Sequence, residues 1–426
     1  MDGGVSPYSI MYYAFDVDTS PKDLVNIVKE YLDGIRRLRK NDRCYIFLDE
    51  VSAVKDWQRG IKRLWDQGRL ANCTVVATGS NTIDIKTSSE KMPGRRGASN
   101  DVLDKIMLPM KFSEFVAAID SDAKDLLEAH NLVSARVRHD LLMRMLDLSL
   151  DIEKLQPYVP MLNRHLRDYL LTGGIPRVVN EYLGTGMVGE DTFATYLDAI
   201  LSDLQSLNRN QSTFKQLVRS VIKAIGSTSS WRSLQKGTDI GSPATVSSYV
   251  DTLQNMFVLS VFYRYSVESK RGLFQKDKKI YLHDPFYFHV LNGWIGGNQL
   301  SFDTAIRHLD SDINRGIMVE GVVANHLIRM AFNVSPRKRN FEYSDLLYYW
   351  RYGKDREVDF VYSDGAGVET PIEVKFQNSI TARDLDGLIN FKRHTKQKGA
   401  ILLSKDRLSM EGECATIPVS LFLLLA

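Results

Sequence analysis

The sequence predicts a multidomain α/β protein, and three observations carry that reading. Apolar runs that read as buried strands alternate with amphipathic helices over residues 10–81, a helical pattern fills 111–210, and strand runs return among helices between 356 and 403. With 426 residues, 44% of them apolar and 25% charged, the chain can bury more than one core, so two or three domains are expected and disorder is not. A net charge of +3 confines any nucleic-acid contact to local patches. Cys44, Cys73 and Cys414 are far apart and lack metal-site spacing, which fits free thiols in a reducing cytoplasm. No run approaches the roughly 20 apolar residues that span a bilayer. The N-terminus has no basic leader, so neither secretion nor a membrane is expected.

Residues 10–15 read as the first strand, Pro21 opens a helix that runs through Leu38, and 44–48 form the second strand. Asp49 and Glu50 then stand at its C-terminal end, where open α/β sheets place ligands. In a nucleotide-hydrolysing site Asp49 would hold a magnesium ion through its water shell, and Glu50 would orient or deprotonate the attacking water. An ordinary strand ended by an acidic turn accounts for the same two residues. A helix over 57–70 leads to a strand over 74–81 with a small, polar end. Ser80 or Asn81 can share the crevice with Glu50, and the 92–97 turn offers Arg95 and Arg96 to phosphate or, equally, to solvent.

The runs 112–115, 141–148 and 166–171 alternate apolar and charged positions as packed helices do. Gly173, Gly174 and Pro176 tighten a turn before the next helix, with Arg177 beside it. Over 213–279 the pattern has the organisation of a winged helix-turn-helix: helices over 214–225 and 229–235, a third after Ser242-Pro243, then a basic hairpin. On that reading Thr245, Ser248 and Tyr249 lie near double-stranded DNA. Lys270, Arg271, Lys276, Lys278 and Lys279 form a wing that contacts phosphate, and Val246, Val250 and Leu253 are core. Such modules also serve as protein-binding connectors.

In the C-terminal region, Glu320 lies in a helical run, and period two puts Glu373 and Lys375 on one side of a strand that follows the Asp359 strand. Phosphodiester cleavage needs oxygen ligands for a hard divalent ion, an activated water and a positive group near the developing charge. Asp359 and Glu373, with Glu320 from the helix, are candidate ligands for Mg2+ or Mn2+, and Lys375 a candidate for orienting water. A surface ion network of Glu357, Asp359, Glu373 and Lys375 accounts for the same pattern. His165, His283, His289, His326 and His394 have no zinc or triad spacing and read as structural or exposed.

In their order, Tyr45-Ile-Phe-Leu-Asp-Glu-Val51, Ala77-Thr-Gly-Ser-Asn81, Gly94-Arg95 and Leu171-Thr-Gly-Gly-Ile-Pro-Arg177 resemble the Walker B strand, sensor strand, following turn and helical lid of an archaeal or bacterial AAA-like, STAND-related ATPase with a C-terminal DUF4143 region. The resemblance implies four parts: a P-loop ATPase-like core over 1–110, a helical lid over 111–210 whose Gly-x-Pro segment approaches nucleotide, a winged helix over 211–280, and a DUF4143 region over 281–426. Asp359 with Glu373-Val-Lys375 further resembles the restriction-endonuclease-like PD-(D/E)xK fold. ATP with Mg2+ is the implied cofactor.

Family members begin with a strand and a glycine-rich loop whose lysine binds the β- and γ-phosphates, whereas Gly3-Gly4 is followed by no such lysine. A truncated core is therefore expected, from a start placed too late or a broken gene, and ATP turnover by the chain as it stands is not expected. The lost strand would leave apolar surface open to self-association. The expected function is an ATPase-family, DNA-associated protein. The alternatives are a metal-dependent DNA nuclease and a noncatalytic scaffold for DNA or a protein partner, so the sequence leaves catalysis open.

Overall fold

A computed structural model describes residues 5–79 and 105–426, apart from 17, 39–41, 135, 139, 141–149, 208, 298, 335–342, 354–355, 364–366, 398 and 412. The helix expected over 141–148 therefore lies outside the described residues. The chain forms two compact units, 1–103 and 104–426. It has a multidomain α/β architecture, with a parallel sheet in the first unit and a larger mixed sheet in the second. No described helix is long and apolar enough to cross a membrane.

In the first unit, strands β1 (Ile10–Ala14), β2 (Cys44–Asp49) and β3 (Cys73–Ala77) run parallel in the order β1-β2-β3. Parallel neighbours need crossovers, and the helices Pro21–Leu38 and Trp57–Asp66 supply them. Leu24, Val25, Val28, Leu32 and Ile35 repeat at helical spacing and bury one stripe against Met11, Cys44, Ile46 and Leu48 of the sheet. Tyr12, Phe47 and Val76 are register partners across the three strands, and all three are exposed.

The second unit is built on an eight-stranded sheet in the order β10-β11-β9-β8-β7-β6-β4-β5. Its strands are β4 (Leu259–Ser266), β5 (Arg271–Leu282), β6 (Leu347–Tyr352), β7 (Arg356–Ser363), β8 (Glu369–Val374), β9 (Ala400–Ser404), β10 (Ser409–Glu411) and β11 (Cys414–Pro418). The β4–β5 hairpin joins the C-terminal strands through a parallel pairing of β4 with β6, so the hairpin and those strands share one sheet.

Period-two alternation splits the apolar residues between the two faces. Tyr349, Phe360, Tyr362, Ile401 and Leu403 enter the main core, while Tyr348, Trp350, Val361, Ala400 and Leu402 enter a smaller one. The helix Asp312–Val334 packs against β5, β6 and β8, and the helix Asp386–Thr395 against β7, β8 and β9. A bulge interrupts this order: Tyr348 pairs with Val361 but Trp350 with Val358, which puts one extra residue into β7 beside Asp359.

The helices Val159–Thr172 and Pro176–Thr185 flank Gly173-Gly174. Gly173 has φ +63°, and a Cβ there would overlap the buried Asp284 carboxyl. That carboxyl accepts the Gly174 N–H at 2.8 Å and the Phe286 N–H at 2.8 Å. Burial pushes Asp284 up to about 6 against those two bonds. The glycine pair is thus a packing joint inside the second unit, held at the start of the helix Pro285–Ile295.

Candidate functional site

Three strands and one helix bring a charged cluster together beneath the second sheet. Each strand contributes an i, i+2 pair on one face: Lys279 and Tyr281 from β5, Glu357 and Asp359 from β7, Glu373 and Lys375 at the end of β8. Glu320 enters from the helix Asp312–Val334. The Lys279 ammonium, in a residue only 1% exposed, lies 3.1 Å from Glu320 Oε1, 2.7 Å from Glu357 Oε1 and 2.6 Å from Asp359 Oδ1. Tyr281 donates its hydroxyl to Glu320 at 2.5 Å. The second oxygen of Asp359 accepts the Val374 N–H at 2.9 Å. Glu373 accepts Lys375 Nζ at 2.6 Å through one oxygen and the Asp359 N–H at 3.3 Å through the other.

The electrostatics follow from burial and from this pairing. Burial alone would lower Lys279, but Asp359 and Glu320 outweigh it and hold the ammonium well above its usual range. Burial raises Asp359, yet Lys279 and Lys375 prevail and keep it low. Burial and then Asp359 push Glu373 up to about 8, and burial with Asp359 also raises Glu320. Lys375 loses from burial and gains more from Glu373 and Asp359, ending raised.

The structure thus gathers four residues that the sequence singled out, Glu320, Asp359, Glu373 and Lys375. It also brings in Glu357, which the sequence placed only in a surface ion network with Asp359, Glu373 and Lys375, and adds two residues that the sequence reading missed in this role: Lys279 and Tyr281. A signal for Lys279 existed, because it opens the apolar run Ile280-Tyr281-Leu282 and so heads into a core. A magnesium ion needs oxygens in near-octahedral array about one point at roughly 2.0–2.1 Å, and a manganese ion needs much the same. The point on which Glu320, Glu357 and Asp359 converge holds the Lys279 nitrogen, and among the described residues no group of three or more His, Cys, Asp or Glu is disposed to hold a metal ion. The residues expected as ligands, Glu320, Asp359 and Glu373, therefore do not fit a resident divalent ion while Lys279 stands among them.

In the first unit Asp49 ends β2, and Glu50 follows in a left-handed conformation at φ 52°. Asp49 accepts hydroxyls from Thr78 and from Tyr12, the latter at 2.6 Å, and these bonds lower its pKa, Thr78 more than Tyr12. Glu50 accepts the Ser52 hydroxyl at 2.5 Å. Both carboxylates are partly exposed, as a water-mediated magnesium contact requires. Ser80, Asn81, Arg95 and Arg96, expected beside them, lie outside the described residues.

The hairpin differs from its sequence reading. Lys270, Arg271 and Lys276 are exposed, but Lys279 is in the cluster and Lys278 is buried with its ammonium 4.6 Å from the centre of the Trp231 ring. Tyr249, expected near DNA, is buried, and its hydroxyl accepts the Asn210 N–H at 2.9 Å. It lies three residues after Val246 and so shares that residue's core face.

Three family models match the chain: an AAA domain over residues 4–116, a domain of unknown function (DUF8612) over 163–296, and a domain of unknown function (DUF4143) over 315–422. The chain carries an AAA-like domain and a DUF4143 domain. The AAA match includes Asp49 and Glu50, the DUF8612 match includes Lys279, and the DUF4143 match includes all four carboxylates of the cluster and Lys375. No curated protein matches significantly.

Proposed function

We propose that this chain is an ATPase-family protein that acts on or around double-stranded DNA, with the AAA-like domain as its nucleotide-linked part and the β4–β5 hairpin as its DNA contact. The observation that carries the reading is the layout around the hairpin. The helices Gln211–Ala224, Trp231–Gln235 and Pro243–Asn255 precede β4 and β5, and Ser229 bridges to Lys278, which is the order of a winged helix. Exposed Lys270, Arg271 and Lys276 cluster on that hairpin, and cations on a wing contact phosphate. The helix Pro243–Asn255 contains no Lys or Arg, so affinity would come from the hairpin and base discrimination would be weak.

Lys270 already lies 3.6 Å from Glu369, which leaves Arg271 and Lys276 as the main contacts. Each phosphate neutralised contributes about −0.9 to the slope of log K against log salt, so the double variant Arg271→Ala/Lys276→Ala should flatten it by about 1.8. Duplex binding followed by fluorescence anisotropy across salt concentrations tests this. An unchanged slope, or no binding by the wild type at low salt, sinks the reading. In the AAA-like domain, ATP binding with Mg2+ that weakens on Asp49→Ala would support the nucleotide role, and no binding would leave an ATPase-derived scaffold.

A second reading, a metal-dependent nuclease, is favoured by one observation. Asp359, Glu373 and Lys375 form one hydrogen-bonded group within the order helix, β6, β7, β8, helix, β9, which resembles the PD-(D/E)xK core. It requires the Lys279 ammonium to leave the carboxylates. Duplex cleavage in Mn2+ that is lost on Asp359→Ala would support it.

A further inference from the structure

We propose that Lys279 is the resident cation of the C-terminal cluster, its ammonium standing where a divalent metal ion would bind Glu320, Glu357 and Asp359, so that this site is built to hold together without metal. The inference does not depend on DNA binding by the hairpin.

The stoichiometry is complete. An ammonium has three N–H donors and no acceptor. Three carboxylate oxygens on two elements meet it at 2.6–3.1 Å. The remaining bonds keep those carboxylates turned inward: Tyr281 clamps Glu320, and the Val374 N–H takes the other oxygen of Asp359. Glu373 is held apart by Lys375 and the Asp359 N–H.

Charge points the same way. Glu320, Glu357, Asp359 and Glu373 are set against Lys279, Lys375 and Arg351, whose guanidinium lies 3.8 Å from Glu357. A cluster so nearly balanced by its own side chains does not call for a further divalent cation. A cluster stripped of Lys279 would, because three buried or half-buried carboxylates would face one another without a counter-ion. A metal ion and the ammonium cannot share one point, so the two states exclude each other.

The test is Mn2+ titration of the full chain without nucleotide, read by electron paramagnetic resonance and by thermal unfolding, for wild type, Asp359→Asn, Lys279→Ala and Lys279→Ala/Glu320→Gln. The wild type is expected to show no Mn2+ binding that Asp359→Asn removes. Lys279→Ala is expected to gain a saturable site and a thermal midpoint that rises with Mn2+, and the double variant to lose both. Wild-type binding that disappears in Asp359→Asn overturns the proposal, as does a folded Lys279→Ala that gains no site. Should Lys279→Ala fold only with Mn2+, the proposal is supported. Should it fold in neither condition, the comparison of wild type with Asp359→Asn decides.

Discussion

Replacing His326 by Gln should remove a specific part of the acid sensitivity of the second unit. The imidazole is 1% exposed, with Nε2 2.9 Å from the Phe112 N–H and Nδ1 2.8 Å from the Val322 carbonyl. Only a neutral ring with its proton on Nδ1 satisfies both, since Nε2 has to accept. Burial first, then Arg329, and further Lys111 and Arg138, push its pKa down to about 3 from an ordinary 6.5. A folded-state pKa below the unfolded one means that the unfolded chain takes up the proton first. The stabilisation is therefore complete above pH 6.5 and is lost as pH falls toward about 3.

At about 1.4 kcal/mol per pH unit, moving from pH 7 to pH 5 should cost roughly 2 kcal/mol through this residue alone. His283 and His289, each pushed down to about 4 by burial, act in the same direction, whereas the raised Asp284 and Glu373 act against it. Only a difference between variants isolates one ring. Gln keeps an acceptor for Phe112 and does not titrate. Urea unfolding of wild type and His326→Gln at pH 7 and pH 5 should show the wild type losing about 2 kcal/mol more than the variant over that interval. Parallel losses in the two proteins would refute the neutral-acceptor assignment.

Three further outcomes are expected. Gly173→Ala should destabilise the second unit by about 3 kcal/mol or more, because the new Cβ overlaps Asp284 and the backbone conformation is one that side chains resist; a denaturation midpoint close to wild type would contradict this. Lys279→Met should cost about 3–5 kcal/mol in metal-free buffer through the uncompensated carboxylates, measured by urea unfolding, and a loss below about 1 kcal/mol would show that the cage contributes little. Tyr12→Phe should move the Asp49 pKa upward, toward the ordinary carboxylate range, in a carbon-detected NMR titration, and no movement would mean that the phenol does not hold that carboxylate in solution.

Local pattern made much of this molecule legible. Pro21 and the stripe from Leu24 to Ile35 define the first helix, and period two places Glu373 beside Lys375 on one face. The role of Lys279 was harder to read, because a basic hairpin looks like a wing wherever its cations point. What buries Lys279 is a non-local event, the parallel pairing of β4 with β6, which carries β5 into a sheet whose other strands lie some eighty residues onward. The bulge beside Asp359 is equally silent in sequence, since an extra residue in a strand alters no apolar pattern until its partner strand is known. Tyr249, by contrast, carried its signal at helical spacing from Val246.

The cluster also bears on how such chains are inherited. Its carboxylates lie in the 315–422 region, while the ammonium that balances them comes from the 163–296 region. Recombination or cloning that cut between the two would hand the acidic half to a host without its counter-ion. A chain that kept the acidic half alone would need another cation at that point, a divalent metal ion included, or neutral residues in place of Glu357 and Asp359. A charge change at Lys279 should therefore be matched across that border, by a neutral residue in place of Glu357 or Asp359 or by a bound metal ion.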